Sequence, residues 1–426
     1  MNDAFDVLDG DVSIRDGRIA AIAPQISEPH DRVIDAGGGY VLPGFVQTHI
    51  HLCQTLFRGF ADDRPLMEWL RTRIWPMEAA HTDETLRAAA RLATTELLAS
   101  GTTAVLTMET VHGTDSVFDE VAASGLRATI GKCMMDADGD APFRLREQTH
   151  ASIDESLALR RRWHGAAGGR IRAAFAPRFA VSCSRELLEA VATLSSEYES
   201  LVHTHAAESR DEIAFVKRMS GGLTNIEYLA SVHLASPMLC TAHCVWLEER
   251  DQQLLAEHDI KVLHCPGSNL KLGSGVAPVP ELRARGVTVS LGADGAACNN
   301  RLDMFEEMRL AAILQAMRKA PGVLSARDVL WMATRAGART LGLEAEIGSL
   351  EAGKRADLII VDRDRPHLTP APDPYSALVY AARGPDVRTT IVDGEVLVHD
   401  FTPVRVDRAE VVETARAAAR QLAAVL

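Results

Sequence analysis

Aromatic residues are scarce in this chain, at 5% of 426 positions, and so are cysteines, of which there are seven. An odd, sparse set running from Cys53 to Cys298 without a CxxC pair does not make a disulfide framework, so reduced and mostly buried thiols are expected. Cys53, Cys244 and Cys265 stand beside histidine-bearing motifs but lack zinc-finger spacing, and are read as packing residues. No stretch approaches the ~18 uninterrupted apolar residues of a membrane helix. The opening MNDAFDVLDGD is acidic where a signal peptide would be basic, so cytoplasmic residence is the expectation. Basic residues are in deficit, 45 Lys and Arg against 58 Asp and Glu, for a formal charge of −13. With no Lys/Arg-rich run, neither nucleic acid nor an anionic membrane is an expected partner. The GxxxxGK[ST] phosphate loop, the GxGxxG fingerprint and HExxH are missing. So is the HxE plus PCxxC pattern of one zinc deaminase fold.

What is present is ordinary globular composition, 47% apolar and 24% charged, with no internal repeat or low-complexity tract. At ~100 to 200 residues per domain, the length allows two or three domains or one large barrel with an appendage. From about Val41, short β-branched apolar runs alternate with longer stretches of helical spacing such as Glu84–Ser100 and Arg185–Tyr198. The runs fall at Val41–His49, Thr102–Glu109, Leu126–Met134, Ile171–Phe179, Leu201–His205, Met238–His243, Lys261–His264 and Val287–Asp294. Eight βα repeats predict an α/β fold, a (β/α)8 TIM barrel whose chemistry sits at the C-terminal strand ends. The flanks alternate differently. Asp11–Ile22, and the later run Asp357–Asp362 with Ile391–Val398, alternate and turn at Asp-Gly as hairpins do, which predicts a small β-sandwich domain built from both termini. The division expected is 1–43 with 346–405 for that domain, 44–345 for the catalytic barrel, and 406–426 for a C-terminal amphipathic helix packed on the surface.

Polar residues collect at the strand ends. His49-Ile50-His51 closes the first run, and residues two apart in a strand face one side, so both imidazoles can bind one cation. An HxH alone is a weak signal, but His205, His243 and Asp294 end the fifth, sixth and eighth runs and belong on the same rim. Two or three histidines with one carboxylate suit Zn2+ or Fe2+ with a position left open for water, which is the arrangement of a catalytic site. Glu208 follows His205 by three residues, where the strand gives way to a helix, and can reach metal-bound water and shuttle its proton. The alternative is a helix-N-terminal Glu favoured by the macrodipole.

The strings PGFVQTHIH, HTHAAE, His243-Cys244 and SLGADGAACNN together resemble the amidohydrolase superfamily, and EIGSLEAGKRADLIIVD (Glu346–Asp362) is similar to its C-terminal return. The resemblance covers nearly the whole chain and lies nearest the triazine-hydrolase and nucleoside-deaminase branch. Ser268–Leu282 and Gly292–Arg309 are similar to the S-adenosylhomocysteine, methylthioadenosine and 5′-deoxyadenosine deaminases. It implies one divalent metal ion per subunit, zinc before iron, held by His49, His51, His205 and Asp294, with His243 a ligand or a close partner orienting the hydroxide. Glu208 would be the proton shuttle, and Glu78 the carboxylate that binds ribose hydroxyls. The catalytic set is then Glu208, His243 and Asp294. The resemblance further implies a homo-oligomer, dimer or tetramer, and one more β-strand ahead of an Asp11-like turn than this chain carries.

Two positions depart from the adenosine-type pattern. Arg178 stands where those enzymes carry a His before the fourth-strand Cys-Ser, and with Gln54 it looks like guanine deaminase. Arg offers only donors, so Arg178 wants an acceptor: a ring oxo group, an unprotonated ring nitrogen or a carboxylate, the last including a structural salt bridge. Gln54, Arg178 and the adjacent Phe179 join Glu78 as substrate-binding candidates. The expected activity is hydrolytic removal of an exocyclic amino group from a purine, foremost an adenosine-type nucleoside, with release of ammonia. Alternatives are a guanine or 8-oxoguanine deaminase, a triazine hydrolase expelling amine or chloride, and, from another class, a catalytically silent metal-binding scaffold.

Overall fold

Pro43 and Gly44 interrupt what the sequence presents as one apolar strand, and the chain changes sheets there. The computed structural model describes residues 2, 4–137, 139 and 141–426. In it the expected first run, Val41–His49, is two strands: β3 (Tyr40–Pro43) in an antiparallel sheet and β4 (Phe45–His51) in a parallel one. Gly44 is required at the crossing, because a Cβ there would overlap the Thr103 side chain. An N-terminal ribbon of β1 (Asp11–Arg15) and β2 (Arg18–Ala23) precedes them.

The parallel sheet continues through β5 (Thr102–Met108), β6 (Arg127–Met134), β7 (Ile171–Pro177), β8 (Val202–Ala206), β9 (Leu239–His243) and β10 (Lys261–His264). The expected eighth run, Val287–Asp294, is likewise interrupted, into β11 (Val289–Leu291) and β12 (Asp294–Gly295). β11 pairs with β10 while β12 pairs with β4, so this one run joins both edges of the nine-segment sheet, as a TIM-like barrel requires. β4, β5 and β6 are buried at every residue, as strands of a parallel sheet covered on both faces are, their polar side chains included. Val46, Ala104, Leu106, Ala174, Cys240, Ala242 and Leu263 pack together with Leu341, Leu343 and Ile347 as a plug of core. Each large aliphatic among them contributes about 1.5–3 kcal/mol by burial.

The helices between strands start where polar caps allow. Thr82 opens Asp83–Ala99 with a capping box, Ser184 accepts the Leu187 N–H ahead of Arg185–Tyr198, and Ser209 opens Arg210–Ser220 through a capping box with Glu212. The antiparallel sheet takes β3 from the N-terminal side and β13 (Leu358–Val361), β14 (Val387–Val392), β15 (Glu395–His399) and β16 (Thr402–Pro403) from the other, in the order β16-β15-β14-β13-β3. Ile19 of the ribbon shares a small core with Leu358 and Ile391 of that sheet. The terminal helix Arg408–Ala423 packs Ala415, Ala418 and Leu422 against the cluster holding Leu56 and Phe57. Among the described residues no helix is long and apolar enough to cross a membrane.

Candidate active site

β4, β8, β9 and β12 end at one rim, and each delivers an imidazole or carboxylate to it. His49 Nε2 and His51 Nε2 lie 3.3 and 3.2 Å from Asp294 Oδ1, and His205 Nε2 is 3.3 Å from His51 Nε2. His243 Nε2 stands 3.9 Å from Asp294 Oδ2 and 3.6 Å from Glu208 Oε2. Ligand-type atoms of His49, His205 and His243 lie within 4.8 Å of one another, as do those of His49, His51 and Asp294. The five expected cation-site residues therefore converge on one point with Glu208 at its edge. The backbone is strained to do this: Ala207, His243, Cys244 and Asp294 all have positive φ, between 48 and 72°. Non-glycine residues in that region cost about 1–3 kcal/mol each and gather at functional sites.

Every Nδ1 in the cluster is held by an acceptor. His51 Nδ1 lies 2.7 Å from the Met108 carbonyl, His205 Nδ1 2.6 Å from the Arg178 carbonyl, and His243 Nδ1 2.9 Å from Asn269 Oδ1. His49 Nδ1 meets His203 Nε2 at 2.7 Å. A proton on each Nδ1 leaves an Nε2 lone pair facing the centre, which is the tautomer that metal ligation needs. Ionisation agrees. Burial brings His49 down to about 4 despite Asp294, and takes His205 well below its ordinary value with help from neighbouring histidines. Burial would raise the Asp294 carboxyl, but His49 and His51 outweigh it and hold it well below the carboxylate range. His49 Nε2 is buried without a hydrogen-bond partner. Converging imidazole nitrogens, one carboxylate and an orphaned nitrogen aimed at their common centre fit a divalent cation of the zinc or iron type.

Glu208 is not in the helix that follows β8; it precedes the Ser209 cap and projects into the site. Glu212 anchors its loop by accepting the N–H groups of Ala207 and Glu208 at 3.2 and 2.8 Å. Burial, with Asp294 adding, pushes the Glu208 carboxyl up to about 7 against the pull of His243, and the Ser274 hydroxyl donates to its Oε1 at 3.2 Å. Ser268 donates to Asp294 Oδ2 at 2.7 Å. Glu109 holds the turn beyond His51 by accepting the N–H groups of Leu52 and Cys53.

Above the cluster lies a cleft walled by Gln54, Leu66, Trp69, Arg178, Phe179 and Leu272. Arg178 Nη1 donates to Glu78 Oε2 at 2.6 Å and Nη2 to Oε1 at 3.2 Å, while Gln54 Nε2 donates to Glu78 Oε1 at 3.0 Å. Arg178, Gln54 and Phe179 thus face the cleft, and Glu78 stands behind with both oxygens engaged. Gln54 Oε1 and the Trp69 indole N–H have no protein partner. Gly295 leaves room for that Gln54 oxygen, which a Cβ would strike. The seven cysteines are free and buried. His203, Trp69, Ser268, Asn269 and Glu212 are site residues that sequence reasoning passed over. Ser268 and Asn269 lie inside the deaminase-like string Ser268–Leu282, and His203 repeats the HxH spacing of β4, so signals existed for these three.

Residues 40–397 match the amidohydrolase family. A 5′-deoxyadenosine deaminase of Methanothermobacter thermautotrophicus is 44% identical over 422 residues, 99% of this chain and 96% of that protein. A 5-methylthioadenosine/S-adenosylhomocysteine deaminase of Desulforudis audaxviator is 41% identical over 418 residues, 97% of this chain and 95% of that one. Among solved structures, a zinc-bound adenosine deaminase of Xanthomonas campestris superposes with a TM-score of 0.90 at 32% identity, covering 98% of this chain and 94% of its own. The guanine deaminase of E. coli superposes with a TM-score of 0.83 at 30% identity, covering 91% and 92%.

Proposed function

The chain belongs to the amidohydrolase family, and from that premise we propose that it is a metal-dependent hydrolytic deaminase of adenosine-type nucleosides: 5′-deoxyadenosine, methylthioadenosine or S-adenosylhomocysteine. The observation that carries the reading is the convergence of His49, His51, His205, His243 and Asp294 on one point with a near-neutral Glu208 beside it. His49, His51, His205 and Asp294 would hold the cation, zinc before iron, with His243 as a further ligand or directly behind. When bound, such an ion supplies Lewis acidity that brings the pKa of a water toward about 7.

The chain's own groups carry the protons. Glu208 accepts the proton of the attacking water and delivers it to a ring nitrogen, which makes the adjacent carbon electrophilic. In its role behind the ligands, His243, oriented by Asn269 and drawn toward its charged form by Glu208 and Asp294 against burial, faces the oxygen that develops charge and stabilises the tetrahedral centre. Asp294, kept anionic by His49 and His51, receives the second water proton and passes it to the departing nitrogen. The C–N bond breaks, ammonia leaves and an oxo group remains on the ring. Leu66, Trp69 and Phe179 exclude water, and the free Trp69 N–H offers a donor to the substrate. The reading takes a small purine as the partner, with no nucleic acid or membrane, in a cytoplasmic homo-oligomer.

A second reading, deamination of a guanine-type base, is favoured by one observation. Glu78 is committed to Arg178 and Gln54, so the cleft presents a guanidinium and an amide oxygen where the nucleoside reading asks Glu78 to meet ribose hydroxyls. Ammonia release by metal-replete protein from the three nucleosides, adenine, guanine and 8-oxoguanine separates the two. Turnover of the nucleosides is expected; turnover confined to guanine and 8-oxoguanine would replace the first reading with the second.

A further inference from the structure

Five imidazoles and a carboxylate meet at this centre, yet one imidazole does not face it. His203 and His205 are two apart in β8, so both project to the inside, His203 one layer deeper. His49 and His51 are related in the same way in β4. The two deeper rings meet edge to face, centroids 4.9 Å apart and planes at 89°, with His49 Nδ1 2.7 Å from His203 Nε2. Both residues are wholly buried, so no solvent can replace either partner.

That contact fixes two tautomers at once. His49 Nε2 lies toward the cation site, 3.3 Å from Asp294 Oδ1, and to ligate a cation it must present its lone pair, which puts the ring proton on Nδ1. A proton on His49 Nδ1 makes it the donor and requires an unprotonated His203 Nε2. His203 then carries its own proton on Nδ1, a buried nitrogen that meets no hydrogen-bond partner among the described residues. The contrast with the other ligands is chemical. His51 and His205 lean on backbone carbonyls and His243 on an amide oxygen, whereas His49 leans on a ring that accepts only in one of its tautomers.

We propose that His203 is a positioning residue that accepts the Nδ1–H of His49 and so holds the ring orientation and tautomer that aim His49 Nε2 at the cation site. The proposal rests on the reading that these residues bind a divalent cation. Outer partners of this kind change metal affinity about 10- to 100-fold when lost.

The test compares zinc affinity, by competition with a chelator on full-length protein, for wild type, His203→Gln, His203→Met and His203→Asn. Gln sets an acceptor oxygen near the position of Nε2, Met fills the space without one, and Asn is polar but too short to reach His49. Met and Asn are expected to weaken zinc binding about 10- to 100-fold, and Gln to stay within roughly threefold of wild type. Thermal unfolding of the metal-free proteins reads packing separately. A histidine-labelled 1H–15N spectrum should show the protected His49 Nδ1–H in wild type and Gln and lose it in Met. Wild-type affinity in the Met and Asn variants, or equal losses in Gln and Met, would overturn the role of His203. Failure of the wild type to take up zinc or iron would instead overturn the cation reading, and this proposal with it.

Discussion

Glu208 owes its chemistry to burial: the same carboxyl on a solvated helix would titrate far below the pH at which it must exchange a proton. Held at about 7 beside His243, it is poised both to accept and to donate. Glu208→Gln is expected to retain metal while kcat falls by at least about 10²- to 10⁴-fold; metal content and ammonia release check the two halves, and near-normal turnover would remove the assignment. Glu78 is a different kind of residue. Arg178 is 5% exposed and its buried charge depends on that one carboxylate. Glu78→Ala should therefore cost about 3–5 kcal/mol in denaturant unfolding, and a Glu78→Met, Arg178→Met double variant should cost less than the single one, because no unpaired charge remains. At this scale sequence reading is uneven. His49, His51, His205, His243 and Asp294 advertise themselves because strand ends carry barrel chemistry. Glu78 is picked out only through the family resemblance, which gives it ribose hydroxyls; its pairing with Arg178, 100 positions away, is encoded by no local pattern.

Elements matter here mainly at their ends. β8 stops at Ala206, the chain takes a positive φ at Ala207, and Ser209 caps the next helix, leaving Glu208 on a two-anchor loop. Glu212 closes the capping box and ties the Ala207 and Glu208 N–H groups, so one helix residue positions the proton carrier. Glu212→Ala is expected to lower kcat up to about 100-fold, the size of effect that a misplacement near 1 Å produces, with zinc affinity little changed. A parallel loss of zinc would place Glu212 in the cation site instead. Ser209→Ala, which removes the cap but leaves Glu212, should cost only about 1 kcal/mol of stability. The periodicity located the barrel strands but fused β3 with β4 and β11 with β12. Both breaks fall inside apolar stretches where the change of sheet or partner is a long-range event, and only Pro43-Gly44 and Gly292 mark them. At Gly292 a Cβ would come within 2.5 Å of the His49 carbonyl oxygen, so the break next to Asp294 is also a close approach to the backbone of β4.

Across the molecule, the parallel and antiparallel sheets are bound by a buried ionic knot. Arg127 at the start of β6 donates to both oxygens of Asp357, at 2.7 and 3.0 Å; Asp357 also accepts the Asp393 N–H; and Arg355 reaches Asp393 at 2.9 Å. The Arg127 and Asp357 side chains are 7% and 1% exposed, so the pair has little water to fall back on. Asp357→Ala should destabilise the chain by about 3–5 kcal/mol, measured by chemical unfolding, while the folded fraction keeps its kcat because the knot lies at the strand starts and the chemistry at the strand ends. A kcat loss without a stability loss would mean that the knot acts on the active site. The most direct test of the account as a whole is turnover of 5′-deoxyadenosine in 18O-labelled water, before and after chelation and again after zinc is restored. One ammonia per product, one solvent oxygen in the product, loss on chelation and recovery with zinc is the predicted result. Turnover that survives chelation, or a product without solvent oxygen, would contradict a cation-dependent hydrolytic deaminase.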